Sequence, residues 1–296
     1  MLLARIQHLL KEPPPAMAFE ISESGIAAAR IGSRAEMEFQ PLKPGTLEVS
    51  PLKENVVDPD DFSAAVRSVA RAQGARKRRD AALILPDYST RLAILDFDEF
   101  PSGPEEQLAL IRFRLKRSVP FDVESAALSY FEQTAGNGKI EVVTCVAPLE
   151  IVARYEAPFR AAGMNPGLVT TSALAALELA PEAGLSVVAK ISGNILTVLV
   201  RDRAQLRMVR CLELPTGTLE DIAAVLVPTF VYVEDNLGGR PGKLFLCGFE
   251  GDTRDAAAYF QDELDVEVEP LRSALGAPGE HNAGLLGYLR SIARDN

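Results

Sequence analysis

The chain has 296 residues and a formal net charge of −10, with 47% hydrophobic, 24% charged and 6% aromatic side chains and no Trp. That balance excludes a disordered or collagenous chain, and the length suffices for two lobes around a buried core. So acidic a chain lacks the basic face of a general nucleic-acid binder, and no nucleic-acid partner is expected.

Residues 1–15 form an N-terminal amphipathic segment: Leu2, Leu3, Ile6, Leu9 and Leu10 recur at helical spacing until Pro13 to Pro15 stop them. Two roles stay open for it, packing on its own domain or a short interfacial or partner-docking helix, which alone binds membrane weakly. Strands over 16–22 and 25–32 then flank the turn Ser22-Glu23-Ser24-Gly25, and a third follows near 35–40. Asp58 reads as the cap of a helix running to about Gln73, with Pro59 in its first turn. The basic group Arg76, Lys77, Arg78 and Arg79 closes it, as a solvated helix end or a docking patch.

Strands at 81–86 and 90–97 are joined by a Pro-Asp turn. Ser102 and Glu105 read as a capping box opening a helix that Pro120 must end. Strands at 126–133 and 139–147 follow around Gly136-Asn137-Gly138, then a helix over 148–162 stopped by Gly163, a short strand and a helix over 172–180. At Leu185 the opening pattern begins again. Strands at 185–191, 195–200 and 205–214 surround the turn Ser192-Gly193-Asn194, before a helix at 217–236, a strand at 243–247, a helix at 253–264, a strand at 265–269 and a last helix from about 282. Two meanders, each followed by alternating helices and strands, make an α/β duplication with a cleft between lobes that both turns can face.

Catalytic machinery is sparse. Cys145, Cys211 and Cys247 lie in apolar, strand-like runs with no partner at metal-ligand spacing, and an odd count suits a reducing compartment. His8 and His281 stand at opposite ends of the chain, so no histidine triad or metal site is expected. The acidic run from Glu250 to Glu269 reads as a solvated face, or as one side of a self-association contact.

Four stretches carry a family resemblance. They are the opening hairpin with its strand ending Ala-Ala-Ala-Arg-Ile, the segment Glu54 to Asp58 before a helix, the stretch Arg112 to Tyr130 with its Val-Pro-Phe, and the second meander with the strand Lys243 to Gly248. In these the chain resembles the actin-like pilus-assembly protein PilM, related to the cell-division protein FtsA and the cytoplasmic part of the secretion protein GspL. The resemblance implies an α/β, actin-like (ribonuclease H-like) duplicated fold. Its first lobe would span 16–170, with a small inserted subdomain at 81–150, and its second 171–296.

The resemblance also implies a cleft for ATP, in which hairpin N–H groups meet the phosphates and strand-end acids hold magnesium indirectly. The matching positions here are Ser22, Ser24, Gly25, Lys190, Ser192, Gly193, Asn194 and Gly248. The match is degenerate. Glu20 replaces the usual Asp, Lys190 stands where an Asp is expected, and Phe249 and Glu250 would crowd a purine. A lysine–phosphate contact keeps ATP open as a ligand, whereas hydrolysis is not expected and no metal ligand is assigned.

PilM-like proteins hold the N-terminal tail of a single-span membrane protein, PilN, beside the inserted subdomain. Val119, Pro120 and Phe121 would form an apolar pocket wall there, their other role being helix termination and core packing. The expected function is a non-catalytic cytoplasmic scaffold of a type IV pilus or type II secretion platform, at the inner face of the cytoplasmic membrane through its partners. The alternatives are an actin-like ATP-binding protein or ATPase of the hexokinase/actin superfamily, and a filament subunit tethered by its last helix. In that helix Leu285, Leu286, Leu289 and Ile292 recur at helical spacing, and core docking is expected of them.

Overall fold

The computed structural model describes residues 14–30, 36–72, 79–134, 139–182, 184–249 and 253–295. The N-terminal segment before Pro14, the side chains of the basic group at 76–79, the turn at 136–138 and Glu250 lie outside the described residues.

Two five-stranded sheets repeat one plan. In the first, β1 (Met17–Ser22), β2 (Gly25–Arg30) and β3 (Glu36–Pro41) form an antiparallel meander, and β4 (Arg79–Leu85) and β8 (Met164–Thr171) continue it parallel to β1 in the order β3-β2-β1-β4-β8. In the second, β9 (Leu185–Ser192), β10 (Ile195–Asp202) and β11 (Gln205–Glu213) are the meander, joined by β12 (Lys243–Cys247) and β13 (Glu267–Pro270) in the order β11-β10-β9-β12-β13. The duplication expected from the sequence is therefore present. It sets Glu20 and Lys190 in equivalent places, each on a central strand two residues before its turn.

The first sheet is covered on both faces because β1 alternates large and small side chains. Met17, Phe19 and Ile21 meet α1 (Pro59–Ala72) and α3 (Leu149–Ala161) through Phe62, Val66, Tyr155 and Phe159. Asp58 caps α1 as expected, its Oδ1 accepting from the Asp60 and Asp61 amides at 3.1 and 3.0 Å. On the opposite face Ala18, Ala27, Ala29 and Ala82 leave room for the last helix, α7 (Ala283–Asp295), to pack Leu285, Tyr288, Leu289 and Ile292 closely. Core docking of that helix is thus what the structure shows. α7 also sends Ala283 and Leu286 into a cluster with Val188, Leu199 and Phe245 of the second sheet, so the end of the expected second lobe, 171–296, lies against both sheets.

One boundary moves. The inserted unit is the three-stranded sheet β5-β7-β6, formed by β5 (Arg91–Phe97), β6 (Ala126–Thr134) and β7 (Ile140–Pro148), with α2 (Pro104–Leu115) on one face. β4 belongs to the first sheet, so the insertion opens after it and not at 81. Ser102 does not cap α2; Gly103 occupies the cap position without a side-chain bond, and Pro104 supplies the first turn. The helix stops at Leu115, short of Pro120.

The insertion's other face is fastened to the second lobe. Phe131 and Val143 pack with Val188, Leu199 and Leu206. Gln133 exchanges hydrogen bonds with the Leu206 backbone at 2.6 and 3.2 Å, and Arg207 lies 2.9 Å from Glu141. A unit that interrupts the first lobe in sequence therefore braces the second in space.

Candidate functional site: the interlobe cleft

A cleft of about 470 Å³ opens between the sheets. Glu20 and Lys190 form its floor, the turns after β1 and β9 its two lips, and the loop at 42–49 an apolar wall. Of the sequence-derived positions, Ser22, Ser24, Lys190, Ser192 and Gly193 line it, whereas Gly25, Asn194 and Gly248 do not.

Local packing explains the three that turn away. A Cβ at Gly25 would lie 2.5 Å from the Gln40 carbonyl oxygen, so β3 requires a glycine there. Asn194 Nδ2 donates to Glu213 Oε1 on β11 at 3.0 Å. Gly248 has φ +80°, and a Cβ on it would come 2.1 Å from the Ile191 carbonyl oxygen. Phe249, expected to crowd a purine, packs on Phe260 at 5.9 Å between ring centroids and does not line the cleft.

The floor is an ionic cluster that sequence reasoning missed in part. Lys190 Nζ sits 3.0 Å from Asp87 Oδ2, both side chains buried, with Asp87 supplied by the 3-10 turn Asp87–Ser89 between β4 and β5. Asp87 also accepts from the Ala173 amide at 2.6 Å and from Thr197 Oγ1 at 3.3 Å. Glu20 is buried and accepts from Ser172 Oγ and from the Leu285 amide, the latter at 2.7 Å. Burial raises the Glu20 pKa, opposed by the Lys190 charge and the Ser172 hydrogen bond. For Lys190, burial works against the ammonium, but the carboxylates of Asp87 and Glu20 outweigh it, so its pKa is raised and it stays charged.

The lips are occupied by side chains of the protein itself. The Gly25 amide donates to Ser22 Oγ at 3.2 Å. The Gly193 amide, at φ +56°, donates to Glu280 Oε1 at 2.5 Å. Ser24 Oγ lies 2.8 Å from His281 Nδ1, and the His281 ring stacks on Phe39 at 5.1 Å. Adjacent residues 280 and 281 thus hold one lip each. Asp87 and Glu280 carried no signal in the sequence beyond residues common in turns.

Neither a protein-family model nor a curated protein sequence matches the chain. Solved structures do. The structure of a PilM–PilN type IV pilus biogenesis complex is similar with a TM-score of 0.78 and 19% identity, over 95% of this chain and 99% of that one. The fold is actin-like. An actin-like ATPase-fold protein of unknown function from Bacteroides thetaiotaomicron agrees with a TM-score of 0.55 and 12% identity, over 94% and 97% of the two chains. The cytoplasmic domain of EpsL, an inner-membrane component of the Vibrio cholerae type II secretion system, gives 0.55 and 14% over 95% and 94%. The likeness to PilM and GspL read from the sequence is matched in fold.

An actin-like fold implies a magnesium–nucleotide in this cleft, and the residues present do not fit one. The floor carries an ammonium whose carboxylate partners are already engaged. Glu23 and Glu280 line the mouth, where phosphates would pass. The Gly193 amide that would meet phosphate already donates to Glu280, and Gly25, which does not line the cleft, donates to Ser22. Among the described residues, no group of three or more His, Cys, Asp or Glu could hold a metal ion.

The three thiols give a simple check on the interior. Burial pushes Cys145, Cys211 and Cys247 up to about 12. At about pH 8 the alkylation of Cys247, the buried one, by iodoacetamide should run on the order of a thousandfold slower than in the urea-unfolded chain, and that of Cys145 and Cys211, which are partly exposed, should be slowed less. Unfolded thiols ionise near 9.0 and these do not, so the stability they contribute is intact below that pH and is lost as pH rises from there toward about 12. Alkaline unfolding followed by circular dichroism measures that window.

Proposed function

We propose that the chain is a non-catalytic scaffold of a type IV pilus or type II secretion inner-membrane platform, holding the N-terminal tail of a PilN-like single-span membrane protein. The observation that carries this reading is the likeness in fold to the PilM–PilN complex structure over nearly the whole of both chains. The misfit of the cleft to a magnesium–nucleotide favours a scaffold over an ATPase. No helix among the described residues is long and apolar enough to cross a membrane. On this reading the chain reaches the cytoplasmic face of the membrane through its partner.

The tail would dock beside the inserted unit. Val119 and Phe121 are half-buried against the core under α2, while Pro120 is exposed. Phe113, on α2 itself, is 69% exposed, more than any other large apolar side chain among the described residues. An apolar tail segment would cover such a surface, with Phe121 as one wall.

Fluorescence anisotropy with labelled N-terminal tails of PilN-like proteins tests the reading. Saturable binding in the micromolar range is expected, weakened about tenfold or more by Phe121→Ser. Because Phe121 is only half-buried, that change should cost about 1–2 kcal/mol of stability and leave the chain folded. Absence of binding by every such tail would overturn the function; unchanged affinity in the folded variant would remove the pocket.

A further inference from the structure

We infer that this actin-like cleft has exchanged its magnesium–nucleotide for an internal cation, Lys190, which with Asp87 ties the two lobes and the entry of the insertion into one fixed arrangement without any ligand. The inference does not depend on which tail docks at the insertion.

The geometry supports it at three levels. Asp87 sits where β4 of the first sheet hands over to the insertion, yet its carboxylate is held by Lys190 of β9, Thr197 of β10 and the amide of Ala173. One buried carboxylate therefore joins the first lobe to two strands of the second. Glu20, from β1, adds its charge to the same ammonium and is itself anchored to the Ser172 hydroxyl and the start of α7. A metal–nucleotide closes such a cleft by giving opposite lobes shared cations and anions; here both belong to the chain.

The lips repeat the arrangement. Glu280 takes the Gly193 amide of the second turn, and His281 meets Ser24 of the first. A phosphate chain would have to displace the Glu280 carboxylate, in a mouth that Glu23 also lines with negative charge. A divalent ion would be brought to a floor already holding a buried ammonium. The Gln133–Leu206 and Arg207–Glu141 contacts brace the insertion against the second lobe, so the hinge motion a nucleotide normally drives has little freedom left.

Two measurements on the full chain decide the matter. In calorimetric titration with magnesium–ATP and magnesium–ADP up to about 1 mM, no saturable heat is expected, with no shift in melting temperature. Nitroxides attached at Arg67→Cys on α1 and Glu234→Cys on α5 (Leu219–Asn236) report the distance between lobes by pulsed electron resonance. A single narrow distribution is expected without nucleotide and unchanged with it. Lys190→Met/Asp87→Asn, which keeps the shape of the pair without its charge, is expected to broaden that distribution. Saturable nucleotide binding, a broad or two-population distribution in the unmodified chain, a nucleotide-induced shift, or an unchanged narrow distribution in the folded double variant would each overturn the inference. Should the double variant fail to fold, the unmodified chain still decides, because its own distribution and titration must both come out as stated.

Discussion

Lys190→Met is expected to destabilise the protein by about 3–5 kcal/mol, read as a fall in the urea midpoint at constant slope. The reason is not the loss of one ion pair but what it leaves behind. Asp87 and Glu20 would remain buried as carboxylates, with neutral donors but no cation between them. Replacing the pair with neutral groups of similar shape, in Lys190→Met/Asp87→Asn, should recover the part of the loss that comes from Asp87 and leave the part that comes from Glu20, since uncharged replacements of a buried pair are often close to neutral. The pH dependence has a definite sign. Glu20 already has a folded pKa above the unfolded carboxyl value of 4.5, so its contribution is complete below that value and is lost as pH rises through the folded one. Without the lysine its folded pKa should climb further. The gap between variant and parent should therefore be small near pH 4 and widen toward neutrality. A deficit under about 1 kcal/mol at neutral pH would mean that the two carboxylates do not depend on the lysine.

The elements of the fold were largely readable because their signals are local. Period-two runs bounded by Ser-Gly turns marked both meanders, and Asp58-Pro59 marked the start of α1, whose cap forms as expected. The partition into units was not readable in the same way. Ala81 to Leu85 is as apolar as the strands of the insertion, and nothing within the run tells a central strand from an edge one. The pairing of β4 with β1 and β8 decides it, and pairing is a long-range fact. Likewise the leucines of α7 showed a buried face without naming its partner. The alanines that receive it are spread over β1, β2 and β4.

The cleft shows the same division. Lys190 at the place of an acid was visible and drew attention to the floor, but its counter-ion lies 103 residues away in a turn where Asp is unremarkable. The glycines carried an ambiguous message. Gly25 and Gly248 stand where nucleotide-binding relatives would need glycine, yet here Gln40 and Ile191 already exclude any side chain. Glycine at these two positions is required by how the strands pack, whether or not phosphate binds. The Ser102 expectation failed for a similar reason: a capping pattern specifies a tendency, and Gly103-Pro104 offered the backbone another way to begin α2.

Gly287→Ala should have the second large effect, and against the direction of helix propensity. In an exposed helix the change would stabilise by up to about 1 kcal/mol. Here the new methyl would lie 1.9 Å from the Ala175 carbonyl oxygen and 2.6 Å from its carbon, in the short helix α4 (Ser172–Ala176). Backbone cannot turn aside as a flexible side chain can, so α7 must retreat from α4. Retreat acts on more than one contact. α7 brings the Leu285 amide to Glu20 and the Tyr288 hydroxyl to the Pro15 carbonyl at 2.8 Å, and it covers Ala18, Ile84 and Leu168 of the first sheet. Overpacking of this kind costs about 1–3 kcal/mol, and a weakened bond to a buried carboxylate adds about 1 more. Amide exchange across α7 should accelerate well before global unfolding, while α6 (Thr253–Leu264), on the second lobe, keeps its protection. If α7 and α6 lost protection together, the last helix would be shown to act as part of one cooperative unit with the second lobe, and its packing on the first would be a matter of position alone.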